Sequence, residues 1–202
     1  PSAQVLQHCL RLADRPSRRA VLLGVPNEQT PRVRDEIEAI APLFPGARVL
    51  LDGQATLESL RAYAPEADIV HLACHGHFRP DNPLFSALRL GDGWLTVRDA
   101  YDLELTSKLV TLSACETGLG AVTPGDDLIG LARGFFSAGA ASLIVSLWTV
   151  DDEATATMMT DFYRRLRAGD EPGAALRRAQ RTMLRDHPHP FFWSPFVLLG
   201  RW

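Results

Sequence analysis

Short apolar runs rich in Val, Leu and Ile recur along this chain, and a stretch of helical periodicity separates most of them from the next. The runs cover residues 19–25, 47–51, 68–74, 108–113, 142–147 and 196–199. Each is apolar at nearly every position rather than at alternate ones. That pattern fits strands covered on both faces, as in a parallel sheet, and not the half-wet strands of a meander. Helical patterns fill the intervals at 32–43, from 56 onward, 128–138, 151–167 and 172–185. Thr56 stands as an N-cap, Pro172 falls in a first turn and Gly139 follows a helix end. Between the third and fourth runs, Gly91-Asp92-Gly93 separates 88–90 from 94–96 and reads as a hairpin turn. A short helix is expected over 96–103. The expected class is α/β, a mainly parallel six-stranded sheet flanked by helices in three layers.

Composition narrows the function. The chain has 202 residues, 46% hydrophobic and 22% charged, with a net charge of −3. That is globular usage with no basic footprint for nucleic acid. Cys9, Cys74 and Cys115 are too few and too scattered for a disulfide framework or a zinc spacing, which suggests a reducing, cytoplasmic setting and no metal. No apolar run has the length of a membrane helix, and nothing at the start reads as a signal peptide. The first residue is Pro1 and not Met, so the chain is expected to begin inside a longer protein. Residues 1–18 are read as a linker or the end of an upstream helical region, and 19–202 as the domain.

In open parallel sheets, functional groups gather just beyond the carboxyl ends of strands. Three such ends carry chemistry here. The third run leads into Cys74-His75-Gly76-His77. A histidine there is placed to act as a general acid and base, and the glycine admits a close backbone approach. His71, four residues earlier, is read as a core histidine, and His77 as a solvated loop residue. The fourth run ends Ser113-Ala114-Cys115-Glu116-Thr117-Gly118. There Cys115 leaves the sheet among small residues, a setting for a nucleophilic thiolate rather than an inert core thiol. Cys9 and Cys74 are read as core thiols. The fifth run ends Trp148-Thr149-Val150-Asp151-Asp152-Glu153. One of these acids is expected to cap the following helix, leaving another to select a cationic group.

These residues carry a family resemblance. His75-Gly76 on one strand end and Ser-Ala-Cys-Glu-Thr-Gly on the next resemble the caspase-like cysteine peptidases. With 128–139, 146–155 and 190–200, the chain from about Arg19 onward is similar to the CHAT domains, the branch akin to separase. The resemblance implies His75 as the catalytic histidine and Cys115 as the nucleophile. It also implies an oxyanion hole from the N–H groups of Gly76 and Cys115. Asp152, four residues after Trp148, falls where separase binds the basic side chain before its scissile bond. Asp151, Trp148 and Ser113 join the expected substrate-binding set. Ser113 departs from the Gln of caspases and the Asp of metacaspases, so neither of their preferences is implied.

The expected function is therefore a cysteine endopeptidase, without a cofactor, that cleaves a protein substrate after a basic residue. Its activity is expected to depend on an upstream helical-repeat region, and the family implies a prokaryotic source. The glycine-containing loop 116–126 is the expected switch element. The competing reading is a silent pseudo-peptidase that scaffolds protein partners. A phosphate-binding domain lacks its motif, and a metal site at His71, Cys74, His75 and His77 is disfavoured by loop-like surroundings. Nucleic acid and membrane partners are not expected.

Overall fold

The computed structural model describes residues 7, 10, 18–28, 30–77, 79, 82–116, 126–148 and 150–201, with the backbone alone at 83, 115, 116 and 126–129. The expected linker or upstream helical end at 1–18 lies largely outside the described residues. Cys9, Thr149 and most of the expected switch loop 116–126 also lie outside them.

Eight strands form one sheet: β1 (Ala20–Gly24), β2 (Arg48–Leu51), β3 (Ile69–His77), β4 (Ala87–Arg89), β5 (Trp94–Thr96), β6 (Leu109–Glu116), β7 (Ser142–Ser146) and β8 (Phe196–Gly200). The main order is β2-β1-β3-β6-β7-β8, and the β4–β5 hairpin attaches to the end of β3. Pairings from β2 through β7 are parallel, and β8 closes the edge antiparallel to β7.

The described helices are α1 (Val33–Ile40), α2 (Leu57–Tyr63), α3 (Val97–Tyr101), α4 (Asp126–Ala138), α5 (Asp152–Arg167), α6 (Pro172–Asp186) and α7 (Pro190–Trp193). Local signals set their ends. Thr56 accepts the amide of Ser59, Thr96 and Asp99 close a capping box, and Gly139 leaves α4 with φ 114°. The helix expected to reach residue 43 gives way after Ile40 to a 3₁₀ turn containing Pro42, which cannot donate to an α-helical ladder.

Alternation along the strands divides the interior into two cores. One sheet face (Leu23, Val70, Leu72, Val110, Leu143) packs on Leu60 of α2, Ala100 of α3 and Phe135 of α4. The other (Leu22, Ile69, Leu109, Ile144) packs on Ile37 of α1, Met158 and Phe162 of α5 and Ala179 of α6. This is the expected three-layer arrangement. At Gly134 the backbone of α4 comes so close to α3 that a Cβ would meet the Ala100 methyl at 2.8 Å.

Two boundaries differ from the sequence reading, and both matter for the site. The loop expected from residue 75 starts later, because β3 runs on through His77. Its last residues gain partners in β4, Gly76 opposite Leu88 and His77 opposite Ala87. Likewise β6 continues through Glu116 rather than stopping at 113, because it keeps register with that longer β3. No described helix is long and apolar enough to cross a membrane.

Ile37 is fully buried between α1 and the sheet. We expect Ile37→Ala to lower unfolding stability by about 2–5 kcal/mol through lost contacts and a residual cavity. Urea denaturation should show this as a lower midpoint at unchanged slope.

Candidate active site

The parallel register of β3 with β6 builds the site. Over eight consecutive pairs it sets His71 opposite Thr111, Ala73 opposite Ser113, and His75 opposite Cys115. Neighbouring strands lie about 4.8 Å apart, so the backbones of His75 and Cys115 are immediate neighbours. Cys115 is thus a strand residue opposite the histidine, rather than one that has already left the sheet. Next in the sheet comes β7, whose Ser146 Oγ donates to the Ala114 carbonyl at 2.8 Å. Trp148, Asp151 and Asp152 follow directly, so all three strand ends meet at one edge of the sheet.

His75 is half-buried, and its ring meets that of Trp94 edge-on at 6.2 Å between centroids. Burial, reinforced by the nearby His77, holds its pKa below the ordinary histidine value. A neutral imidazole at near-neutral pH is the form that can accept a proton. His77 is an exposed strand residue rather than a loop residue, and it too meets Trp94 edge-on, at 6.0 Å. Gly76 is buried in the ladder between Leu88 and Glu116.

Beneath this edge lies a buried polar cluster. His71 is fully buried, as a core histidine should be, and its Nδ1 lies 3.1 Å from the Tyr163 hydroxyl. The same hydroxyl is 2.8 Å from Thr111 Oγ1. On the other side of the ring, His71 Nε2 lies 3.1 Å from Glu36 Oε1, close but not aligned as a hydrogen bond. Ser113 Oγ donates to Glu36 Oε2 at 3.3 Å. Glu36 is only 2% exposed. Burial pushes the Tyr163 phenol far above its usual range; the Thr111 bond opposes this and the Glu36 charge adds to it. Ser113, expected among the substrate-binding residues, is therefore buried and turned to Glu36. Sequence reading missed Glu36 and Tyr163, because a carboxylate and a phenol inside amphipathic helices look like surface residues.

The acid cluster divides its labour. Asp151 is the N-cap of α5, with its carboxylate accepting the Ala154 amide at 2.8 Å. Asp152 reaches across to α1, where it accepts the backbone N–H of Arg32 at 2.7 Å. Its pKa is raised, chiefly by burial and further by Glu36 and Asp151, while the Arg32 amide pulls the other way. The Trp148 indole Nε1 is buried without a hydrogen-bond partner among the described residues. Cys74 sits in the α2–α4 core. Among the described residues, no three His, Cys, Asp or Glu gather within metal-binding reach.

A mainly parallel sheet between helical layers, with His75 and Cys115 at paired positions on neighbouring central strands, is the arrangement that the chain presents. Residues 1–201 match the CHAT domain, and the chain belongs to that family. Tetratricopeptide repeat protein 28 of mouse is 27% identical over 210 residues, covering 84% of this chain and 8% of that protein. The chain thus spans less than a tenth of that relative. Among solved structures, the Arg-specific cysteine proteinase gingipain R of Porphyromonas gingivalis superposes with a TM-score of 0.72 at 12% identity, covering 96% of this chain and 51% of that one. The separase–securin complex of Saccharomyces cerevisiae gives 0.61 at 12% identity, covering 97% and 13%. At such identities the two structures establish a shared fold.

Two outcomes follow from the site's electrostatics and packing. Tyr163→Phe strips two buried partners of one hydroxyl and should cost about 1–3 kcal/mol in a denaturation experiment. The His75 imidazole should titrate below the ordinary value of about 6.5 when followed by NMR. The folded state resists its protonation, so the unfolded chain binds more protons between the depressed value and the ordinary one. On this account His75's contribution to stability falls as pH is lowered through that window and levels off below it.

Proposed function

We propose that this chain is a cysteine endopeptidase with Cys115 as nucleophile and His75 as general acid and base. The observation that carries the reading is the register that makes these two residues neighbours at the carboxyl ends of adjacent central strands. In the proposed reaction neutral His75 takes the Cys115 thiol proton, and the resulting thiolate attacks the scissile carbonyl carbon. The resulting oxyanion is held by the N–H groups of Gly76 and Cys115, each worth about 3 kcal/mol by analogy with other peptidases. His75 gives a proton to the leaving amine as the C–N bond breaks. It then takes one from water, which cleaves the thioester and releases the second product.

The substrate class is a protein cut after Arg or Lys. Asp152 is the proposed recognition residue, with Asp151 and Trp148 beside it on the same strand end. In support, its carboxylate stands in a region of like charge from Glu36 and Asp151, an environment that a bound cation would relieve. The Arg specificity in the name of gingipain R, which shares this fold, is in line with that choice. The relative in which this domain accompanies tetratricopeptide repeats supports helical repeats as its proposed regulatory partner. The second reading is a silent pseudo-peptidase that scaffolds protein partners.

An arginyl chloromethyl ketone tests the proposal, with adducts located by mass spectrometry. We expect a single adduct on Cys115 that is absent from Cys115→Ala. Asp152→Asn keeps an oxygen for the Arg32 amide, and it should slow labelling by the arginyl reagent more than by an uncharged one while preserving the fold. Equal slowing with both reagents would remove Asp152 from recognition. Absence of labelling both here and in the repeat-containing protein would favour the scaffold.

A further inference from the structure

The β4–β5 hairpin is held with unusual firmness for a surface element, and it carries an aromatic ring to the candidate general acid and base. Its first strand is laddered onto the last two residues of β3, one position beyond His75. Leu88, Leu90 and Leu95 are buried in the α2–α4 core, and by alternation Arg89 and Trp94 are left on the other face. The turn is docked as well. The Gly91 amide donates to the Ala55 carbonyl at 2.8 Å, and the Asp92 carboxylate accepts the Leu57 amide at 3.3 Å. Gly91 packs so tightly on the Asp52 carbonyl that a Cβ would stand 2.2 Å from it.

Trp94 is therefore fixed relative to the strand that bears His75. Its ring stands 6.2 Å from the His75 ring at 65° and 6.0 Å from the His77 ring at 61°. The guanidinium of Arg89, its register partner, lies 5.6 Å from the indole centroid. Yet Trp94 remains 44% exposed.

We propose that Trp94 is a positioning residue for His75, fixing the plane of the imidazole and screening one side of it from water. The role rests on the peptidase reading for its catalytic meaning, but the contact itself does not. Screening is consistent with the burial that disfavours protonated His75. Among the described side chains, His77 on β3 is the titratable group that acts on that imidazole, and Arg89 on β4 lies over the Trp94 ring; the backbones of Cys115 and Glu116 on β6 pair with those of His75 and Gly76.

The test compares Trp94→Ala and Trp94→Phe with the parent 202-residue chain. Inactivation by the arginyl chloromethyl ketone is resolved into kinact and KI, and the His75 imidazole is titrated by NMR in a Cys115→Ala background. For Trp94→Ala we expect kinact to fall about tenfold at nearly unchanged KI, a partial loss of acid–base assistance. The His75 midpoint should also move up toward about 6.5. Trp94→Phe, which keeps an aromatic edge, should stay near the parent in both. If Trp94→Ala fails to fold, Trp94→Leu takes its place in the same measurements. An unmoved titration, or a change in KI alone, would overturn the proposal; the second would make Trp94 a substrate contact. If the parent is labelled neither alone nor within the repeat-containing protein, the peptidase reading falls and the titration alone decides whether Trp94 positions His75.

Discussion

The hydroxyl of Tyr163 meets both strands that carry the candidate dyad, touching His71 of β3 and Thr111 of β6 from a helix on one side of the sheet. Those two residues are themselves register partners. The phenol therefore pins a single rung of the ladder, four residues below the rung that holds His75 and Cys115. Slippage of β6 against β3 would separate the candidate dyad, and it would also leave buried polar groups without partners. The apolar faces alone favour a register weakly where one Leu or Val resembles the next. The polar rung makes the choice specific, and Glu36, reaching both His71 and Ser113, adds a second tie from α1.

Burial follows from the same arrangement. The strands are covered on both faces, so polar groups placed inside them must find partners within the protein. They do so mostly on one face, toward α1 and α5. The opposite face is a continuous apolar core that needs no such arrangement and carries the hairpin as an extension. The candidate chemistry thus sits at the edge of the polar face, while the apolar face supplies rigidity to the hairpin and to Trp94.

Much of this was legible in the sequence. Continuous apolar runs gave the parallel sheet, and cap residues such as Thr56 and Gly139 marked helix ends, because both signals are local. His75 and Cys115 stood out because strand ends in α/β sheets collect function. Both strands run on past the ends that local pattern marks, because pairing with β4 extends β3 and no local pattern reveals a distant partner. Glu36, Tyr163 and Trp94 escaped notice for the same reason. Each is ordinary in its own segment and becomes significant only through a residue in a different element of the chain. The expected helix cap among the acids is Asp151, a local signal, but the acceptance of the Arg32 amide by Asp152 depends on how α5 meets α1, which spacing does not encode.

That last contact restricts how the site can diversify. Asp152 Oδ2 holds the amide at the start of α1, and α1 in turn carries Glu36 into the polar cluster. The selectivity proposed for Asp152 and the architecture therefore rest on one side chain. Replacements that retain an acceptor oxygen at position 152 are open to a drifting lineage at small structural cost, whereas apolar or cationic ones loosen a helix before they select a new ligand. A change of preference at this edge would more readily begin at neighbouring positions that no helix depends on.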